Sequence, residues 1–284
     1  MSLLGLGNIG ERIVIESGAT LKVRTSAVQG VLDLSHVLHA VGLQLLSWSF
    51  GLSAVLAFLD SRSGPVRDHP PLGWRVAGML SGPLAGLGCL ALLAGGAERW
   101  VWLGLALPYA TMALVASWTW LRRVRFDLRR QRGREAAILG LIAVLFASLC
   151  QTGGDQLPAL SLAASLGTAA LAGGLGILAL CSAVGGERDE VEVEADCDGI
   201  PVRAIATGLG ITFLAATDVG RGLLLGGITL QAPLGFWLAG SLLLPLALLL
   251  VGQRRASWNC PALSSAACAA ALIGQFALQT ALIA

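Results

Sequence analysis

Two short spacings hold the residues best suited to chemistry. Asp218 and Arg221 stand i, i+3 in the stretch Ala215-Ala216-Thr217-Asp218-Val219-Gly220-Arg221-Gly222, so on a helix they share a face and neutralise each other. His36 and His39 fall within one helical turn, and Gln44 follows on a stripe with Ser47 and Gly51. A quinone head group needs a donor to each carbonyl and a titratable relay to water, which an Asp–Arg pair with histidines nearby would supply. Plainer readings stand beside this one. The Asp–Arg pair also suits snorkelling at a membrane interface, and the histidines suit an interface without chemistry.

Other chemistries are excluded by what is missing. The sequence has no P-loop, no Gly-x-Ser-x-Gly and no His-Glu-x-x-His. Its one lysine, Lys22, precedes the first long apolar run, which rules out a retinal Schiff base inside the membrane. A haem held between two helices needs histidines on different crossings, and the third histidine, His69, lies in a loop. Six cysteines (Cys89, Cys150, Cys181, Cys197, Cys260, Cys268) show no Cys-x-x-Cys and no zinc spacing. No haem or metal is therefore expected in this chain, no catalytic residue is assigned, and nucleic-acid binding has no support.

The elements that must position these residues are apolar helices. Of 284 residues 55% are hydrophobic and 13% charged, and the mean hydropathy is +0.76. Apolar runs of about 20 residues recur from end to end, each long enough for a hydrocarbon core of about 30 Å. The fold class expected is all-α, a polytopic membrane protein with about eight transmembrane helices in two four-helix bundles. Crossings are expected near 35–59, 76–95, 101–121, 136–150, 159–184, 203–225, 234–251 and 263–284. Residues 1–34 form an extracytoplasmic or interfacial segment, a hairpin or a surface helix, without the pattern of a cleavable signal. Residues 35–152 make the first bundle and 153–284 the second. Gly78, Gly82 and Gly86 form a small-residue stripe for helix packing. Trp100, Trp102, Trp118 and Trp120 bracket the third crossing as an aromatic belt.

Charge sets the orientation. The run Leu121 to Glu135 is the densest cationic stretch, and fourteen of the 19 Lys and Arg lie in the first, third, fifth and seventh loops. Cationic loops stay in the cytoplasm, so both termini are expected outside a bacterial inner membrane. The acidic loop 185–202, cytoplasmic on this count, reads as solvated or as a docking point for a partner or cation. The unusual polar residues gather toward the outer face, and the inner face is left with solvated loop charges.

Trp102-Leu103-Gly104 to Pro108, closed by Arg122-Arg123, is echoed by Trp237-Leu238-Ala239 to Pro245, closed by Arg254-Arg255. Two parallel four-helix halves would generate this. Eight crossings, outer termini, two halves and the phrase Asp218-Val219-Gly220-Arg221-Gly222 resemble the membrane-anchor subunits of the polysulfide reductase and DMSO reductase families. There the acidic-x-Gly-Arg-Gly pattern belongs to the last crossing; here it is in the sixth. The resemblance implies a haem-free subunit of a respiratory or redox complex, non-catalytic or reacting with quinone (menaquinone or ubiquinone). It implies an iron–sulfur partner subunit, with His36, His39, Gln44, Asp218 and Arg221 at the quinone site or its proton relay. A small-solute or proton-coupled transporter, and a structural or assembly subunit with no site, are the other two readings.

Overall fold

The computed structural model describes residues 13–16, 20–22, 34–62, 70–95, 99–122, 124–151, 158–184, 195–224, 231–255 and 261–283. In the N-terminal unit, β1 (Ile13–Glu16) pairs antiparallel with β2 (Thr20–Lys22), Ile13 opposite Lys22 and Glu16 opposite Thr20. Of the two forms expected for this segment, the described residues take that of paired strands.

Residues 35–284 form the second unit. Its helices are α1 (Leu34–Arg62), α2 (Leu72–Ala94), α3 (Arg99–Leu121), α4 (Phe126–Gln151), α5 (Pro158–Val184), α6 (Ala195–Leu224), α7 (Gln231–Leu238), α8 (Leu244–Arg255) and α9 (Pro261–Ile283). A π-helical segment, Ala239–Leu243, joins α7 to α8. Five helices among the described residues are long and apolar enough to cross a membrane. The architecture is that of a helical, multi-pass membrane protein.

Apolar clusters fill the interior of this unit, yet large apolar side chains also cover its outside and small polar ones lie within. Phe58, Leu90, Ile138, Leu214, Phe236 and Ile273 are exposed, while Ser49, Ser81, Ser148, Thr168, Thr212, Ser241, Gln275 and Gln279 are buried. In lipid, apolar side chains gain little by turning inward, so small residues and interhelical hydrogen bonds hold the helices together. Among the described glycines, the tightest contact lies between α1 and α5. A Cβ on Gly51 would run into the Ala169 carbonyl, and one on Gly173 would lie 2.5 Å from the Gly51 carbonyl. The expected α2 stripe is two-thirds real. Gly78 faces the Trp120 ring and Gly82 the Ser117 hydroxyl of α3, but Gly86 has open space beside it.

Two expected boundaries move. Helix α4 starts at Phe126, ten residues before the apolar run, so most of the cationic loop is helix and the connection shrinks to 122–125. Asp127 in its first turn favours that start. Helix α6 starts at Ala195 and takes up the end of the acidic loop. Residues 185–194 lie outside the described residues.

The belt also divides. Trp118 is exposed beneath Arg122, whose guanidinium carbon lies 4.5 Å from the ring centre, whereas Trp120 is buried in the core between α1, α2 and α5.

Candidate functional site

The strongest charged feature lies at the end of the unit where α1 finishes and α4 begins. Arg129 donates from Nε to Asp60 Oδ2 and from Nη2 to Asp60 Oδ1, both at 3.1 Å. The side chains are only 5% and 3% exposed. A guanidinium fork matches a carboxylate in this two-bond geometry, which a lysine would not reproduce. Arg129 also lies over two aromatic rings, 4.6 Å from the centre of Trp120 and 5.4 Å from that of Phe126. Local sequence accounts for this. Starting α4 at Phe126 puts Arg129 one turn in, on the face that meets α1, and carrying α1 on to Arg62 puts Asp60 opposite it.

Beside the pair is a cavity of about 10 Å³, lined in part by Ser53, Asp60, Ser81, Trp120 and Gly133. That is room for about one water. A run of hydroxyls continues from Ser81 through α1, α2 and α3. Ser49 donates to the Ser81 carbonyl at 2.6 Å and lies 2.6 Å from Tyr109 Oη. Since the single Ser49 proton goes to Ser81, the Tyr109 hydroxyl donates to Ser49. Ser117 donates to the Gly78 carbonyl at 2.7 Å and accepts from the Gly82 amide at 2.7 Å. Carboxylate, cavity and hydroxyls adjoin one another in the interior between α1, α2 and α3.

A second polar layer joins α5, α6, α9 and the π segment. Gln279 Nε2 lies 3.4 Å from Ser165 Oγ, and Cys268 Sγ lies 3.8 Å from the Ala172 carbonyl. These two contacts bracket Gln275, which is fully buried. Gln44 of α1 reaches the same region, donating to the Leu272 carbonyl.

The residues expected to carry chemistry are thus distributed. Gln44 ties α1 to α9. His39 is buried on α1, and the backbone there lies against Gly95 after α2. His36 lies on α1 and Asp218 and Arg221 on α6, but their side chains lie outside the described residues. Among the described residues no three His, Cys, Asp or Glu side chains come together as metal ligands. No family model matches the chain, and no curated protein or solved structure matches it.

Sequence reasoning missed Asp60, Arg129 and Gln275 as a site. Asp60 stood one residue beyond the expected end of its crossing, and Arg129 stood among seven arginines credited to topology. The expectation that inner-face charges are all solvated is therefore corrected: the lengthened helices α1 and α4 bury this pair. Gln275 and Gln279 did carry a legible signal, an i, i+4 amide pair in an apolar helix.

Proposed function

We propose that the chain is a membrane transporter for a small solute, with the Asp60–Arg129 pair closing the inner end of its polar interior. The observation that carries this reading is the burial of a two-bond carboxylate–guanidinium pair directly against a small cavity that the Ser53 and Ser81 side chains also line. Stability alone gives no reason for such a pair, because well-packed apolar side chains would serve as well or better. A switchable contact is a reason: the pair parts when the carboxylate is protonated or when a charged solute competes for the guanidinium. The excess of cationic residues at this end supports a cytoplasmic location. The expectation of a redox-complex anchor has no comparable contact behind it.

The test uses purified full-length chain in liposomes loaded with a pH dye. Gradients of cationic, anionic and neutral solutes are applied in turn. Solute-dependent proton flux or swelling is expected, and it is lost in Asp60→Asn. A chain inert to every class, purifying with a bound quinone or an iron–sulfur subunit, belongs instead to the membrane-anchor class.

A further inference from the structure

The second polar layer is built from side chains that lack partners. Among the described residues, neither the amide nitrogen nor the amide oxygen of Gln275 has a hydrogen-bond partner. The same holds for the hydroxyls of Thr168, Thr212 and Ser241, the indole N–H of Trp237 and the amide oxygen of Gln279. All six residues are within 1% of full burial.

The helices bring them to neighbouring levels. Antiparallel α5 and α9 match Ala172 to Cys268 and Ser165 to Gln279, which sets Gln275 at the level of Thr168. Thr212 joins them from α6: a Cβ on Gly167 would lie 2.8 Å from its hydroxyl oxygen. Trp237 and Ser241 come from the α7–π rod, where the Trp237 backbone lies against Gly274 and Gly240 lies against the Ala270 carbonyl. The π segment begins beside this level, with Gly240 against Ala270 about a turn from Gln275, and such segments are frequent at functional sites.

A buried amide left without partners is costly, and several such groups in one layer compound the cost. We infer that this layer is a binding site for an uncharged, hydrogen-bonding ligand, either water or a small neutral solute with hydroxyl or amide groups. The described polar side chains here are all uncharged, so an ion would find no countercharge among them. They offer both donors and acceptors, which is the pattern that a water, a hydroxyl or an amide satisfies. This site lies apart from the Asp60–Arg129 pair and does not depend on the gate assigned to it.

The test is X-ray hydroxyl-radical footprinting of the full chain in liposomes, in which water bound near a side chain is itself the radical source. Trp237, whose ring packs on Leu160, Leu234 and Leu278 while its indole N–H has no partner among the described residues, is compared with Trp74, buried in an apolar cluster of α1, α2, α3 and α5. Labelling of Trp237 several-fold faster than Trp74 is expected, falling toward the Trp74 rate in Thr212→Val and Ser241→Ala. Equal rates for the two tryptophans in the wild type would overturn the inference without any variant having to fold. Stability gives a second readout. Gln275→Leu lowers Tm if a ligand bridges the layer, whereas a raised Tm would mean a dry, merely unpaired amide and would also overturn it. Swelling in urea or glycerol gradients separates the two ligands. Swelling slowed by Thr212→Val assigns a neutral solute, and swelling unchanged beside fast Trp237 labelling assigns water.

Discussion

Arg129 grips Asp60 through two hydrogen bonds across 69 residues of sequence, with both side chains almost fully buried. The contact joins the last turn of α1 to the first turns of α4, with Trp120 of α3 stacked against the guanidinium. Three helices therefore meet on one charge pair. Any motion that separates α1 from α4 at this end must break both hydrogen bonds, while the stacking on Trp120 ties Arg129 to α3.

Removing one partner should cost far more than removing both. Asp60→Ala leaves Arg129 buried without its carboxylate, and breaking such a pair costs about 3–5 kcal/mol. The double change Asp60→Leu with Arg129→Met should recover most of that loss, since apolar replacement of both members is often neutral. Thermal unfolding in detergent measures each corner of the cycle. Equal Tm values for Asp60→Ala and the wild type would mean that the pair is not buried as described.

The α1–α5 seam should be intolerant of a single methyl group. Gly173→Ala places a Cβ against the Gly51 backbone, where neither main chain yields cheaply. Overpacking of this kind costs about 1–3 kcal/mol. Gly86→Ala is the control, because its added Cβ meets open space, and it should leave Tm unchanged or slightly raised. A Gly173→Ala variant as stable as Gly86→Ala would remove the seam from the packing account.

The helical rods were legible because each apolar run is nearly as long as a membrane is thick. What the runs could not show was where polar helix ends continue past the apolar part. Asp60 and Arg129 look like loop charges in sequence, and only the added turns of α1 and α4 bring them inward. A contact spanning 69 residues leaves no periodic trace in a single sequence. Gln275 was visible as a polar residue in an apolar helix, yet its isolation depends on which neighbours α5 and the π segment supply. Trp120 shows the reverse error, since an aromatic residue near a helix end fits an interface equally well until packing buries it.

A small pH dependence should trace to Glu135. Its carboxylate accepts from Gln131 at 2.9 Å and from Arg132 at 2.7 Å, and these bonds, Gln131 first, hold it below its ordinary value of 4.5. A carboxyl depressed by folding adds stability above its unfolded pKa, and that contribution is lost as pH falls through the folded value. The Tm gap between wild type and Glu135→Gln should therefore be constant near neutrality and close below pH 4.5. A gap that widened on acidification would reverse the sign and exclude these hydrogen bonds as its source.

Orientation is tested from the short connection at 122–125. Arg125 is exposed and precedes α4, so Arg125→Cys in a background lacking the six native cysteines gives an accessible thiol. The charge asymmetry predicts that a membrane-impermeant maleimide leaves it unmodified on intact cells and labels it once the membrane is opened. Glu98→Cys, ahead of α3, should behave in the opposite way. Labelling of Arg125→Cys from outside would invert every crossing, and the Asp60–Arg129 pair would then face the exterior. A gate on that side would have to respond to external pH, so this measurement also decides which side of the liposome the transport assay must acidify.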